Sequence, residues 1–504
     1  MKTLAVIDMG SNSIRLVVVQ IKSHSYKFLD DIKETVRLEQ GLDKQGYISE
    51  EKIERTLQCL RMFKELCLAH QVTDTICVAT AAIRKAKNSN ELAERVKNET
   101  GIDLRIISGA EEAEYVFNGV ACSMDIDDSI IIDIGGGSIE IIEMDNKKPV
   151  NKVSLPFGSI DLCTAFQLDD IVDQKKEIKL FDYINSELKK LDWLKKAKNK
   201  PVIGVGGIAR NIGKISRRKS NYPIDLVHCY PLDLDEIIDI YNGAKELDAK
   251  NRKGIKGLSS NRTDIFVGAC ATIIALMKHI QSEEMLISGS GLREGLIYDY
   301  LQKENIMDFD NVLAASIGNL TANYAIDRVH SKHICNIMNK LFNELQDIHR
   351  LERTPSIEKI IEVSSLFHDF GITLRYYHHH MHGFYMLLNS GINGLTQYEL
   401  MICSLIVSNH RIGKLKNNFR QYKPIIDEKA SYIIYKLAIL LQISESLDRS
   451  RLGKIGSIHC TIDKDAVTIW VTSQYDIELE ISKAIEVQPL FEKHFEKKLN
   501  ILKV

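Results

Sequence analysis

The sequence predicts an α/β fold in which two similar α/β lobes precede an all-α region and a small C-terminal α/β region. Three observations carry this. DMGSNSIRLVVVQI, from Asp8 to Ile21, is echoed by DIGGGSIEIIEM, from Asp133 to Met144, with D-x-G-x-x-S-I in the same order. Strand-like and helix-like periods alternate through the first three fifths of the chain, as they do in α/β proteins. From about Asn311 the strand signal fades, and it returns only from about Ile455. At 504 residues the chain is too long for one core. The expected divisions are 1–122 and 123–305 for the two lobes, 306–453 for the helical region and 454–504 for the last.

Each echoed stretch reads as a hairpin: an apolar run ending in Asp, a small turn of Gly and Ser, and a second apolar run. Such a tip sets backbone N–H groups beside a carboxylate, which suits a phosphate and its cation. In the first lobe, Ile53, Leu57, Leu60, Phe63 and Cys67 form a helical stripe whose start suits Ser49, Glu50 and Glu51. TICVAT reads as a strand, Ser89 to Thr100 as a helix closed by Gly101, and LRIISG as a strand. Glu111 and Glu112 then fall in the first turn of a helix running to about Cys122. Carboxylates are common there because the helix dipole favours them, so a structural role competes with a chemical one.

The second lobe repeats the plan. SIIIDIGGGSIEIIEM, a DN turn and a strand to Leu155 come first, followed by helical segments to about Lys200. PVIGV then runs into Gly206-Gly207 and a helix, and MLISGSG into the helical LREGLIYDYL. Glycines at strand-to-helix turns let backbone approach a phosphate. Beyond Asn311 the pattern is helical, with Pro355 and Pro424 in loops and a high density of His. The end of the chain alternates as strands around Asp463-Lys464-Asp465, and Ala484 to Leu499 reads as a closing helix.

A net charge of −2 gives no reason to expect nucleic-acid or membrane binding. Arg217-Arg218-Lys219, Lys250 to Lys256 and His410 to Lys423 are locally basic, which most often means a solvated face and less often a track for a polyanion. The ten Cys residues show no C-x-x-C pair, against a zinc knuckle or disulfide framework. Asp8, Asn12 and Arg15 interrupt the N-terminal apolar run, and no apolar stretch reaches the roughly 20 residues that span a bilayer. A cytoplasmic protein is expected.

DMGSNSIRL, ATAAIRKAKN, ISGAEEAEYVFNGV, DIGGGSIE, GVGGIARNI and SGSGLREG stand in order across residues 1 to 300. Through them the chain resembles the exopolyphosphatase and guanosine pentaphosphate phosphohydrolase family. The resemblance implies actin-like (ribonuclease H-like) lobes, a homodimer, and magnesium-dependent removal of terminal phosphate from inorganic polyphosphate or pppGpp. It matches Glu112 to the general base, with Glu111 as the neighbouring alternative, and Asp133 to the magnesium ligand, with Asp8 in support. Gly10, Ser11, Asn12 and Ser13, Gly135, Gly136, Gly137 and Ser138, and Gly206 with Gly207 are expected to cradle phosphates. Arg84 matches an arginine that neutralises phosphate oxygens, and Arg15 is a second candidate. Hydrolysis of an anhydride needs a positioned water, a carboxylate beside it and positive charge around the transferred group. A sugar kinase would share the fold but needs an adenosine site and a substrate Asp as base. An actin-like scaffold without catalysis would not need the intact acidic and Gly positions, and a polyphosphate-binding regulatory protein is the other non-enzyme reading.

In the helical region, HSKHI with His330, LFHDFG with His368 and Asp369, HHHMHG with His382, SNHR with His410 and ISESLDRS with Glu445 resemble the spaced pattern of an HD phosphohydrolase domain. That resemblance implies a second divalent metal on His330, His368, Asp369 and Glu445. Glu445 departs from the Asp usual at this position, and Asp448 is a substitute.

Overall fold

The computed structural model describes residues 2–38, 45–411, 413 and 421–504, which form two compact units, Met1–Ala315 and Ser316–Val504. The first unit is built on two sheets. One has strands β1 (Lys2–Met9), β2 (Ser13–Lys22), β3 (Ser25–Thr35), β4 (Asp74–Ala79) and β5 (Leu104–Ile106) in the order β3-β2-β1-β4-β5. The other has β6 (Ser129–Ile134), β7 (Ile139–Asp145), β8 (Lys148–Leu155), β9 (Val202–Val205), β10 (Tyr230–Asp233) and β11 (Glu284–Ile287) in the order β10-β11-β9-β6-β7-β8.

The two sheets share one plan. β1 pairs antiparallel with β2 and parallel with β4, as β6 pairs antiparallel with β7 and parallel with β9. These central strands are buried on both faces, which is why LAVI and III read as continuous apolar runs. At each hairpin tip the same turn closes: Gly10 N–H donates to Ser13 O at 3.1 Å and Gly135 N–H to Ser138 O at 3.0 Å. The sequence echo is therefore a structural repeat. It sets Asp8 opposite Arg15 and Asp133 opposite Glu140.

Each sheet packs an outer core of its own, Ile53, Leu57 and Phe63 on one and Ile208, Phe266 and Ile273 on the other. Between the sheets lies a shared core with two helices, Gly109–Ala121 and Leu292–Lys303. Both begin with a carboxylate that caps its own first turn, Glu111 on Ser108 and Glu294 on Gly291. They cross closely because of glycine: a Cβ on Gly295 would run into the Tyr115 carbonyl, and one on Gly119 into that of Gly291.

Several elements fall where the sequence placed them. The helix Glu50–Ala69 starts after Ser49, though the Ser49 side chain makes no cap bond, and Ser89–Thr100 ends on Gly101 at φ 71°. The expected closing helix is corrected. The chain forms the helices Glu478–Ile485 and Gln488–Phe495 and then strand β14 (Lys498–Lys503), parallel to β13 (Ala466–Thr472), which pairs with β12 (Ser457–Ile462). Pro489 lies in the first turn of the second helix, and the alternating burial of Leu499 and Ile501 gives the end a strand period. The second unit is otherwise helical. No helix among the described residues is long and apolar enough to cross a membrane.

Two basic clusters prove partly structural. Arg252 is fully buried and donates to the carbonyls of Ala244, Leu168, Thr263 and Asp170, and Arg217 is buried and paired with Asp225. In the third, positions 412 and 414–420 lie outside the described residues.

Candidate active site

The two hairpin tips and the turns after β9 and β11 line one cleft of about 170 Å³ in the first unit. Asp8 and Asp133, at the ends of the paired central strands, face it with Gly10, Ser11, Asn12, Ser13, Arg15, Gly135, Gly136, Ser138, Gly206 and Gly207. Gly206 has φ +81°, and a Cβ there would collide with the Asp133 carboxylate; one on Gly207 would collide with the Arg262 guanidinium. Bare backbone is thus required where the helix Gly206–Lys219 opens onto the cleft. Its free N–H groups and dipole favour an anion there.

Glu112 lines the cleft from the start of the helix Gly109–Ala121 and is 8% exposed. Its neighbour Glu111 faces elsewhere, its Oε2 accepting from Ser108 N at 2.8 Å and Ser108 Oγ at 2.9 Å. The capping box therefore holds one carboxylate of the pair and leaves the other to the cleft. Arg84 donates from Nη1 to Glu112 Oε2 at 3.0 Å and to Ile107 O at 2.9 Å. Arg84 and Gly137 line a neighbouring cavity rather than the cleft itself.

Burial raises the Glu112 carboxyl to about 7, with Arg84 pulling it down and Asp133 and Asp8 pushing it up. Burial likewise raises Asp133 to about 6, opposed by Arg210. Asp8 is raised by burial too, with Arg293 and Arg15 opposing. Glu140, buried behind the second tip, is raised by burial and by the nearby Glu112 and Asp133; its Oε1 accepts from Ser154 Oγ at 2.8 Å. Four carboxyl groups are concentrated on this side.

Cations are concentrated with them. Arg15, Arg210, Arg262 and Arg293 all line the cleft. Arg210 is held by Gly289 O at 3.0 Å and Arg293 by Asp31 at 2.8 Å. Burial, with Arg15 and Arg210 adding repulsion, lowers Arg262 to about 10, and burial with Arg262 beside it lowers Lys33 to about 8. Like charges crowded this way are relieved by an anion between them.

Glu140, Arg210, Arg262 and Arg293 were not among the sequence candidates. Glu140 had a signal: it occupies in the second hairpin the position of Arg15 in the first, opposite the Asp. Arg210 sits one turn into the helix that GVGG opens and Arg293 in the first turn of the helix that SGSG opens, within motifs read only for their glycines. Arg262 comes from a short 3₁₀ turn, Ser260–Arg262, with no pattern to mark it.

In the second unit His330, His368 and Asp369 bring ligand atoms within 4.8 Å of one another, and so do Asp369, His379 and His410. Glu445 lies beside the second set, its Oε2 3.9 Å from His410 Nε2. Asp448 instead accepts from His330 Nδ1 at 2.7 Å, and His379 rather than His382 joins the cluster.

Residues 17–304 match the Ppx/GppA phosphatase family and residues 312–494 match domain III of that family. Two curated proteins named guanosine-5'-triphosphate,3'-diphosphate pyrophosphatase are similar along most of their length. That of Aeromonas hydrophila is 26% identical over 96% of both chains, and that of Pseudoalteromonas atlantica 28% identical over 81% of this chain and 79% of its own. Among solved structures, an exopolyphosphatase from Cytophaga hutchinsonii is 27% identical with a TM-score of 0.56, covering 60% of this chain and 98% of its own. The Aquifex aeolicus member of the Ppx/GppA family is 28% identical with a TM-score of 0.54, covering 60% of this chain and 99% of its own. With both family regions matched in order, and with the repeated hairpins and their carboxylates meeting in one cleft, the chain belongs to the Ppx/GppA phosphatase family, hydrolases of phosphoanhydride bonds.

Proposed function

We propose that the cleft releases terminal orthophosphate from inorganic polyphosphate, with Glu112 as the base that takes a proton from the attacking water. The observation that carries this reading is the lining. Among the described residues it combines carboxylates, arginines and open backbone turns, and it has no aromatic side chain on which a nucleobase would stack. A chain of phosphates needs only charge and N–H donors.

Water attacks the terminal phosphorus, the new P–O bond forms as the anhydride P–O bond breaks, and the shortened polyphosphate departs. Glu112 is suited to receive the water proton because its raised pKa brings it close to neutrality, where a base is both free and strong enough. Arg84 fixes its carboxylate in place through Oε2. Arg15, Arg210 and Arg262 offset charge on the transferred group, and the turns Gly10 to Ser13 and Gly135, Gly136 and Ser138 with Gly206 and Gly207 donate N–H groups to its oxygens.

The donor set fits magnesium: Asp8 and Asp133, at the ends of the central strands of the two sheets, offer hard oxygens to the one cleft. Asp133 and Asp8 would hold such an ion, which would supply positive charge against the phosphate oxygens.

The second reading is release of the 5'-terminal phosphate of pppGpp, favoured by the names of the curated relatives that align over most of this chain. Phosphate release from polyphosphate and from pppGpp, measured side by side with magnesium, tests the choice. Faster turnover of pppGpp at equal concentration would reverse it.

A further inference from the structure

Beside the cleft lies a second cavity of about 350 Å³ in the same unit. Ser138, at the tip of the second hairpin, lines both spaces. Where they adjoin, one ion pair spans the wall: Glu112 lines the cleft, Arg84 lines the cavity, and Arg84 Nη1 donates to Glu112 Oε2 at 3.0 Å.

The chemistry of the cavity is that of an anion site. Among the described residues its lining carries three cations, Arg84, Lys85 and Lys152, and no carboxylate. Each cation is balanced from outside the lining, Arg84 by Glu112, Lys85 by Asp161 at 3.1 Å and Lys152 by Glu114. Both lysine side chains are about a third exposed, and ion pairs so placed are weak enough to yield to an incoming anion. Gly137 and Gly109 bring backbone to the wall, and a Cβ on Gly109 would collide with Ser154. Gly109 also opens the helix that carries Glu112, where the first N–H groups have no partner within the helix.

Displacement at phosphorus sets the attacking water and the leaving oxygen roughly in line, on opposite sides of the transferred group. With Glu112 as the base, the water's side is the side of Glu112. As the new P–O bond forms, the water gives its proton to Glu112, and the electron pair of the broken P–O bond stays on the shortened chain. Hydrogen phosphate is then left between that chain and Glu112. Protonated Glu112 is neutral, so its bond to Arg84 loses its charge assistance and the guanidinium can turn to the phosphate.

We propose that the cavity is the exit for orthophosphate: the product passes Glu112 and Ser138, is taken over by Arg84, Lys85 and Lys152, and leaves while the rest of the substrate stays in the cleft. For a polyphosphate, a separate exit lets successive phosphates be removed without release of the chain. This exit rests on the reading of Glu112 as the base, and it serves polyphosphate and pppGpp alike because both yield orthophosphate.

Product inhibition by inorganic phosphate tests it, with the full chain, magnesium, radiolabelled substrate and constant ionic strength. Phosphate held in the exit while substrate fills the cleft lowers kcat, whereas phosphate confined to the cleft competes with substrate and raises only the apparent KM. Wild type should show a lowered kcat. In Lys85→Gln with Lys152→Gln the inhibition constant for that effect should rise severalfold, with KM for substrate unchanged. Glu114→Gln keeps Lys152 and removes its competitor, so it should lower the same constant severalfold. Purely competitive inhibition in wild type, or shifts in the same direction in both variants, would overturn the exit. A severalfold rise in KM for long polyphosphate in the lysine variant, with phosphate inhibition unchanged, would overturn it in favour of a track for the chain. Inhibition is measured with whichever of the two substrates turns over, so a wrong choice of substrate leaves the test intact. Failure of the base shows separately, as normal turnover in Glu112→Gln.

Discussion

Glu112 and Glu111 are adjacent and chemically identical, yet the fold gives them different work. Ser108 binds Glu111 in a capping box, while burial and Arg84 shape Glu112. Glu112→Gln is therefore expected to lower turnover by about 10² to 10⁴ with little change in substrate affinity, the usual loss for a general base. Glu111→Gln should mainly loosen the start of the helix. Normal turnover in Glu112→Gln, measured as phosphate release, would remove it from the chemistry. The pH dependence has a definite sign. A base must be ionised, so with Glu112 near 7 the rate falls as pH drops below that value. Arg84 lowers the Glu112 pKa, so Arg84→Gln should move the acid limb of kcat/KM upward, on the order of one pH unit. A limb that stays put or moves down would show that Arg84 does not tune this carboxyl. Asp133→Asn is expected to raise the magnesium concentration for half-maximal rate on the order of tenfold, and an unchanged titration would take Asp133 out of the metal site. At this scale the sequence was legible where residues share a motif. Asp8, Asp133 and the glycines announce themselves through the repeat, whereas Arg262 reaches the cleft from a 3₁₀ turn that nothing in its neighbours marks. His379 was hidden differently: in a run of three histidines, the phase of the helix decides which one faces inward, and that phase depends on where the helix starts.

At the scale of elements, the two helices between the sheets set the position of the cleft, since one carries Glu112 and the other begins with Arg293 and Glu294. Their approach depends on Gly295 lying against the Tyr115 carbonyl. Gly295→Ala forces backbone to move and should cost about 1–3 kcal/mol or more, as overpacking does. It should lower the thermal unfolding midpoint and turnover together, whereas an unchanged midpoint would mean that the helices are not held at that contact. The central strands and the capped helices were readable because burial on both faces and cap chemistry both write into sequence. β3 was not read, since this edge strand has the largely exposed pattern of SYKFLDDIKET. β14 was mistaken for helix because a short apolar alternation after Phe495 continues the spacing of the helix before it.

For the whole molecule, the residues proposed for the chemistry and the histidine cluster fall in different units. Every group assigned to anhydride hydrolysis lies within Met1–Ala315, and every group of the histidine cluster within Ser316–Val504. Solved relatives from Aquifex aeolicus and Cytophaga hutchinsonii are matched along 99% and 98% of their length by only 60% of this chain, so a fold of this kind stands without a counterpart to the remainder. The expectation follows that His368→Ala with Asp369→Ala leaves phosphate release from short polyphosphate within about twofold of wild type, while removing any metal that the histidine cluster holds. The basic run His410 to Lys423 belongs to the second unit, so its contribution should appear on long polyphosphate, whose many charges make binding fall more steeply with salt than that of a short chain. Phosphate release measured on both chain lengths across a salt series separates these effects. If the double variant keeps its circular dichroism and unfolding midpoint but loses hydrolysis of short chains, the reaction depends on the histidine cluster, and the assignment of anhydride chemistry to the first unit is wrong.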